Sequence, residues 1–159
     1  MNLSCRPIDA SLVEVMRPWY EDAETQRFLH GPEDLDTVLD LIEKMPGSEL
    51  RGSIVTFRQE WVFFDGDEPV GACGVETYDH TRTSVSILVA PEHRGKGVGM
   101  EMLQQASSLP GLESTTVLEG GVEPDNKASI RALEKAGFNI AEEVDHEGFL
   151  MVTKRVRRG

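Results

Sequence analysis

The residues best suited by type and spacing to do chemistry lie in Val85-Ser86-Ile87-Leu88-Val89-Ala90-Pro91-Glu92-His93-Arg94-Gly95-Lys96-Gly97-Val98-Gly99. An apolar, β-rich run passes through a short turn into a helix that opens on glycines. The first N–H groups of a helix have no partner within it, and the helix dipole adds partial positive charge at the same end. Such an opening is an anion site suited to phosphate. Gly97 and Gly99 carry no side chain to keep a pyrophosphate from the backbone. The spacing Gly95-x-Gly97-x-Gly99 is not the G-x-G-x-x-G of a dinucleotide fold, and the Lys-Ser/Thr pair of a P-loop is missing. Read alone, the stretch fits a phosphate loop or a tight strand-to-helix turn with no ligand.

The elements that must position it follow from periodicity and chain breakers. Residues 4–8 read as a first strand. Ser11 and Glu14 form a capping-box pattern before a helix with Leu12, Val15, Met16 and Trp19 at near-helical spacing. Pro18 is expected to stop or kink that helix near Arg17. Residues 19–30 read as irregular or partly helical. Gly31-Pro32 opens a helix with Leu35, Val38, Leu39, Ile42 and Met45 on one face, and Pro46-Gly47 ends it. Residues 54–57 and 61–64 read as separate strands. Turns at Asp65-Gly66-Asp67 and Asp79-His80 then join strands over 70–78 and 82–89 into an antiparallel meander.

The glycine-opened helix is expected from Gly95 to about Leu109, with Val98, Met102, Ala106 and Leu109 inward. A strand over 115–119 should pair in parallel with 85–89 through a right-handed crossover. Asp125 or Asn126 caps a helix with Ile130, Leu133 and Ala136 inward and Gly137 at its C-cap. Residues 138–144 and 149–156 close the chain as a hairpin around Glu147-Gly148.

A chain of 159 residues is one domain with room for a proper core. Its 39% hydrophobic and 28% charged residues are those of a soluble globular protein. The net charge of −12 argues against nonspecific nucleic-acid binding, and it suits a cationic substrate as well as plain solubility. Lys154, Arg155, Arg157 and Arg158 read as a solvated edge strand and tail. No apolar run reaches the roughly 20 residues of a membrane span, and the N-terminus has no signal-peptide core. The expectation is a cytoplasmic protein with no membrane partner. Cys5 and Cys73 are too few for a disulfide framework and read as buried, reduced thiols. No metal site is expected.

The order β-α-α-β-β-β-α-β-α-β-β carries two motifs. The first is Val89-Ala90-Pro91-Glu92 followed by Arg94-Gly95-Lys96-Gly97-Val98-Gly99. The second is Pro124-Asp125-Asn126-Lys127-Ala128-Ser129, opening a helix that ends in Gly137-Phe138. With these motifs the chain resembles the GNAT acetyltransferase superfamily over nearly its whole length, and in pattern its Rim-type, ribosomal-protein branch. The resemblance implies an α/β (α+β) fold in one domain. Its mixed, mostly antiparallel central sheet would have roughly six or seven strands, about four flanking helices and a splayed central parallel pair. It implies acetyl-CoA as cosubstrate. The loop Arg94, Gly95, Lys96, Gly97, Val98, Gly99 and Met100 would hold the pyrophosphate. Ile87, Leu88 and Val89 would offer backbone groups to the pantetheine arm. Asn126 would contact the pantetheine region, with Ser129 nearby, and the thioester would sit in the gap between the splayed strands.

The chemistry then needs an N–H for the oxyanion, from Val89 or Leu88, and a base for the acceptor ammonium. Many family members carry a Tyr seven residues after the Asn and a Glu about ten residues before the loop Arg; here these positions are Leu133 and Ser84. The candidate bases are Glu119, at the strand end beside the splay, and Glu76, on the neighbouring strand. Asp79 and His80 read as turn residues, and His93 as a surface residue near phosphate. The expected activity is N-acetyl transfer to a primary amine of a small molecule, or to a protein N-terminus or lysine. The acidic body favours a polyamine or aminoglycoside. A non-catalytic acetyl-CoA sensor and a longer acyl donor are the alternatives, and a homodimer is the working expectation for assembly.

Overall fold

Period-2 alternation through the middle of the chain builds the sheet, and four amphipathic helices, two on each side, cover its two faces. The computed structural model describes residues 1–28 and 32–157. Gly31 of the Gly31-Pro32 signal, His30 and Arg158 lie outside the described residues. The elements run β1 (Leu3–Pro7), α1 (Ala10–Glu21), α2 (Ala23–Phe28), α3 (Pro32–Lys44), β2 (Glu49–Leu50), β3 (Ser53–Asp65), β4 (Glu68–Tyr78) and β5 (Arg82–Val89). They continue α4 (Val98–Gln105), β6 (Val117–Val122), α5 (Lys127–Lys135), β7 (Asn139–Val144) and β8 (Leu150–Arg155). The 8-stranded sheet has the order β1-β3-β4-β5-β6-β8-β7, with β2 on β3. Every pairing is antiparallel except β5 with β6.

Leu12, Met16 and Trp19 of α1 and Leu35 and Val38 of α3 pack over Val62, Phe64, Ala72 and Leu88 on one face. On the other, Val98 and Met102 of α4 cover Phe63, Val70, Cys73 and Val75. A third cluster joins α4 and α5 to β6 and β8 through Leu103, Leu133, Leu118 and Val152. Cys5 and Cys73 are unbridged, and burial raises both thiol pKa values.

Several local expectations are corrected. Asp9, not Ser11, caps α1: its carboxylate accepts from Leu12 N at 2.9 Å and from the Ser11 hydroxyl at 2.7 Å, while Glu14 pairs with Arg17. Pro18 does not stop the helix. It faces solvent, so water can take the Glu14 carbonyl that loses its partner, while Trp19 beside it is buried. Residues 23–28 are helical. Val15 and Leu39 are exposed, outside the buried stripes of α1 and α3. Residues 54–57 and 61–64 belong to one strand of 13 residues, because pairing with β4 carries β3 through its polar centre. The helix expected from Gly95 begins at Val98, since Gly95 and Gly97 take left-handed φ of 75° and 85°. It gives way to a 3₁₀ turn over Ala106–Ser108. β8 lies inside the sheet, not at its edge, and Lys154 donates to Ala136 O at 2.7 Å at the end of α5.

The strand expected over 115–119 begins only at Val117 and runs to Val122. Thr115 precedes it in a buried hydroxyl chain: Thr83 Oγ1 lies 2.8 Å from Thr77 Oγ1 and 2.7 Å from Thr115 Oγ1. This chain ties β4, β5 and the start of β6 at one end of the sheet. Thr83→Val takes one partner from each neighbour and is expected to cost ~1–3 kcal/mol in chemical denaturation. A change within error of zero would show that the hydroxyl chain does not hold this end.

Candidate active site

β5 and β6 pair over only three positions, Arg82 with Val117, Thr83 with Leu118 and Ser84 with Glu119. Beyond them the strands part. At the fork a Cβ on Gly120 would lie 3.0 Å from the Val85 carbonyl oxygen, so a side chain there would press the two strands apart by a few tenths of an ångström. β6 then follows β8, while β5 stays on β4 through Val89. Ala90 N donates to Val70 O at 2.9 Å, which fixes the alternation of the β4–β5 ladder. The backbone groups of Ser86 and Leu88 therefore point to β4. Those of Ile87 and Val89 point to the opened edge, where no strand among the described residues meets them.

That edge floors a cleft of about 560 Å³. One wall is the turn from Arg94 into α4; the other is the end of β6 and the start of α5. Gly97 is the N-cap of α4, and Gly95 and Gly97 have open space where a Cβ would be. A Cβ on Gly99 would sit 3.3 Å from Ile87 Cδ1, so α4 lies close against β5. Lys96 is exposed. Asn126 caps α5, its Oδ1 accepting from Ser129 N at 3.3 Å, and both residues line the cleft. These features fit the coenzyme: free N–H and C=O groups for an extended amide-bearing arm, and a glycine-opened helix for its diphosphate. Leu133 is buried in the third core cluster.

Arg94 lines the cleft but is committed elsewhere. Its guanidinium donates to Asp22 at 2.6 Å and Thr25 Oγ1 at 2.9 Å, and pairs with Glu24 at 3.0 Å. The Arg94 hydrogen bond holds the Asp22 carboxyl below its ordinary range. The α1–α2 junction is thereby fastened to the glycine loop.

On the sheet face beneath α3, Arg58, Glu76, Ser84 and Glu119 stand in one row across β3, β4, β5 and β6. Both oxygens of Glu76 are taken, one by Arg58 and one by the Tyr78 hydroxyl. Burial, then this hydrogen bond, pushes the Tyr78 pKa up to about 12. Glu119 accepts from Arg82 at 3.2 Å. It lies inside β6 at the last pair before the fork, not at the strand end. Asp79 and His80 are turn residues with positive φ, and His93 contacts Glu68 at 3.1 Å.

The next row is Glu60, Gly74 and Ser86. Glu60 lines a second cavity of about 140 Å³ with Arg58, Glu76, Ser84, Ser86 and Val38. Ser86 lines both cavities. The Glu60 carboxyl has some accessible surface, yet it lies deep in a concavity with protein on most sides. That desolvation, partly offset by Arg58, pushes its pKa up to about 7. Sequence reasoning passed over Glu60. The available signal was parity: it shares the inward face with Val62 and Phe64, where an acid is out of place.

A splayed parallel pair with a glycine-opened helix at its mouth defines the GNAT class of acyltransferases. The sequence model of the acetyltransferase (GNAT) domain matches residues 2–139, and the chain belongs to that family. It is an acetyl-CoA-dependent N-acetyltransferase. It is 26% identical over 144 residues to the uncharacterized N-acetyltransferase YfmK of Bacillus subtilis (strain 168), covering 90% of each chain. Its fold matches aminoglycoside acetyltransferase AAC(6')-Ib in complex with coenzyme A, with TM-score 0.76, 14% identity and coverage of 97% and 95%. It also matches spermidine N-acetyltransferase from Vibrio cholerae in complex with CoA and spermine, with TM-score 0.75, 15% identity and coverage of 96% and 95%.

The raised Glu60 pKa has a consequence for stability. An acid whose folded pKa exceeds its unfolded value favours the native state while protonated, and that advantage is lost as pH rises through the folded value. Between pH 5 and pH 8 the wild type should therefore lose stability relative to Glu60→Gln in paired urea melts. A constant difference across that range would show that Glu60 titrates as an ordinary carboxylate.

Proposed function

We propose that the chain acetylates a primary amine of a polycationic small molecule. The observation that carries this reading is the acidic cavity joined to the cofactor cleft at Ser86, with Glu60 and Glu76 in its wall and Glu119 in the same row of the sheet. The net charge of −12 adds long-range attraction for a cation. An aminoglycoside acetyltransferase and a spermidine acetyltransferase among the structural neighbours support the same acceptor class.

In this reading the N–H groups at the start of α4, from Gly95 to Met100, hold the diphosphate, with Lys96 as a mobile counter-charge. Ile87 and Val89 pair with the pantetheine arm as a further strand would, while Leu88 contributes packing because its backbone is bonded to β4. Bound acetyl-CoA supplies an activated acyl carbonyl, and the Val89 N–H is the donor aimed at its developing charge. Asn126 and Ser129 border the arm from α5. Arg94 acts through position, fastening α2 to the loop. Glu76 and Glu119 are each held by an arginine, which leaves Glu60 as the cavity's unpaired acid to meet the ammonium.

Two measurements test this. Gly97→Asp places a carboxylate where phosphate would lie and strains a left-handed position; calorimetry should show acetyl-CoA affinity at least ~10-fold weaker, from strain and like-charge repulsion. Undiminished binding would remove the phosphate-loop assignment. In a thiol-release assay, spermine, spermidine and kanamycin should outperform a lysine peptide and an N-terminal peptide. Turnover confined to the peptides would redirect the acceptor assignment to proteins.

A further inference from the structure

We propose that Glu60 is the catalytic proton acceptor for the incoming amine, acting across the side-chain-free Gly74 at the point where the small cavity meets the cofactor cleft. The inference rests on the amine-acetylation reading and adds the residue that makes the amine reactive.

The geometry singles out this carboxyl. A Cβ built on Gly74 would lie 2.5 Å from Glu60 Oε2 and 3.0 Å from Ser86 Oγ, so the carboxyl occupies the space above β4 and leans toward β5. A side chain at 74 would push the carboxyl out of this position. Ser86 is small, and it is the residue common to the cavity and the cleft. The other carboxylates nearby are committed, Glu76 to Arg58 and Tyr78, Glu119 to Arg82. Among the described residues no hydrogen-bond donor reaches the Glu60 carboxyl. Its oxygens are free to accept a proton from an ammonium or from a water between them.

The groups around it tune it for that task. Arg58 faces it from its own strand, Glu76 from β4 and Tyr20 from α1, while Cys73 lies behind it on the opposite face of the sheet. α3 contributes the apolar Val38 and Ile42, and β5 the uncharged Ser84 and Ser86. Desolvation outweighs the single cation, so the carboxyl sits near neutrality, where a general base is most effective. A carboxylate reaching over from β3 thus serves a strand that offers only Ser84 and Ser86 to the cavity.

The Glu60 carboxylate takes one proton from the acceptor ammonium. The freed lone pair forms the C–N bond to the acyl carbon while the C–S bond breaks, and the sulfur keeps that electron pair. The second nitrogen proton passes to the sulfur. The products are the N-acetylamine and the CoA thiol, and Glu60 returns its proton to solvent through the open cavity.

The test pairs kinetics with a direct titration. With an acceptor identified by thiol release, Glu60→Gln should lower kcat/KM by about 100-fold or more, the range of general-base contributions. It should also abolish the fall in rate below neutrality and leave acetyl-CoA affinity unchanged by calorimetry. Gly74→Ala, which keeps the carboxylate but displaces it, should lower kcat with the same cofactor affinity. In the free protein, the carboxyl ¹³C signal absent from Glu60→Gln should titrate near neutrality in the wild type. A Glu60→Gln enzyme within ~3-fold of wild type with an unchanged pH profile overturns the assignment. So does a midpoint near the ordinary ~4.3. If no amine in the panel is acetylated, the acceptor reading fails, and the carboxyl titration decides the Glu60 assignment independently.

Discussion

An incomplete ladder governs this molecule. β5 is bonded to β4 along its whole length but to β6 over only three residues. Backbone N–H and C=O groups left unpaired inside a protein are costly, so an open strand edge at the centre of a sheet requires a partner supplied from outside. The fork is enforced at both ends. The threonine hydroxyl chain clamps the closed end, and Gly120 brings β6 against the Val85 carbonyl before β6 turns to follow β8. The cleft results from strand pairing and does not depend on side chains lining a hole.

The two faces of the forked sheet do different work. α4 and α5 pack on one face through apolar contacts and present their N-termini to the cleft. The face under α3 is apolar beneath α1 and turns polar toward the fork, where two arginines and three acids replace the hydrocarbon core. Two of those acids are neutralised by arginines at short range, while Glu60 keeps a desolvated, unpartnered carboxyl. Arg94 fastens the α1–α2 junction to the glycine loop, so α2 is held at the wall of the cofactor cleft.

Much of this was legible in the sequence because it rests on local rules. The glycine spacing, the Asn126 cap, the parallel crossover and the closing hairpin depend on residues near in sequence. Pro18 and β3 were misread because they were decided at a distance. Pro18 sits inside a helix because its neighbours Met16 and Trp19 are buried by α3 and β3. β3 runs through Arg58, Gln59 and Glu60 because β4 supplies its hydrogen bonds. The same polar interruption that hid this strand's continuity also hid Glu60. Its role emerges only when Gly74 and Ser86 line up beside it across strands distant in sequence. Glu76 and Glu119 could be named from sequence, but their arginine partners could not.

The open β5 edge would be completed by a ligand strand. Amide hydrogen exchange resolved by residue tests it directly. Without ligand, the amides of Ile87 and Val89 should exchange quickly, while those of Ser86 and Leu88, bonded to β4, are protected. Saturating acetyl-CoA should slow Ile87 and Val89 by more than about 10-fold, as new backbone hydrogen bonds require, and leave Ser86 and Leu88 unchanged. Equal protection of all four amides before ligand is added would contradict the account, as would failure of acetyl-CoA to protect Ile87 and Val89.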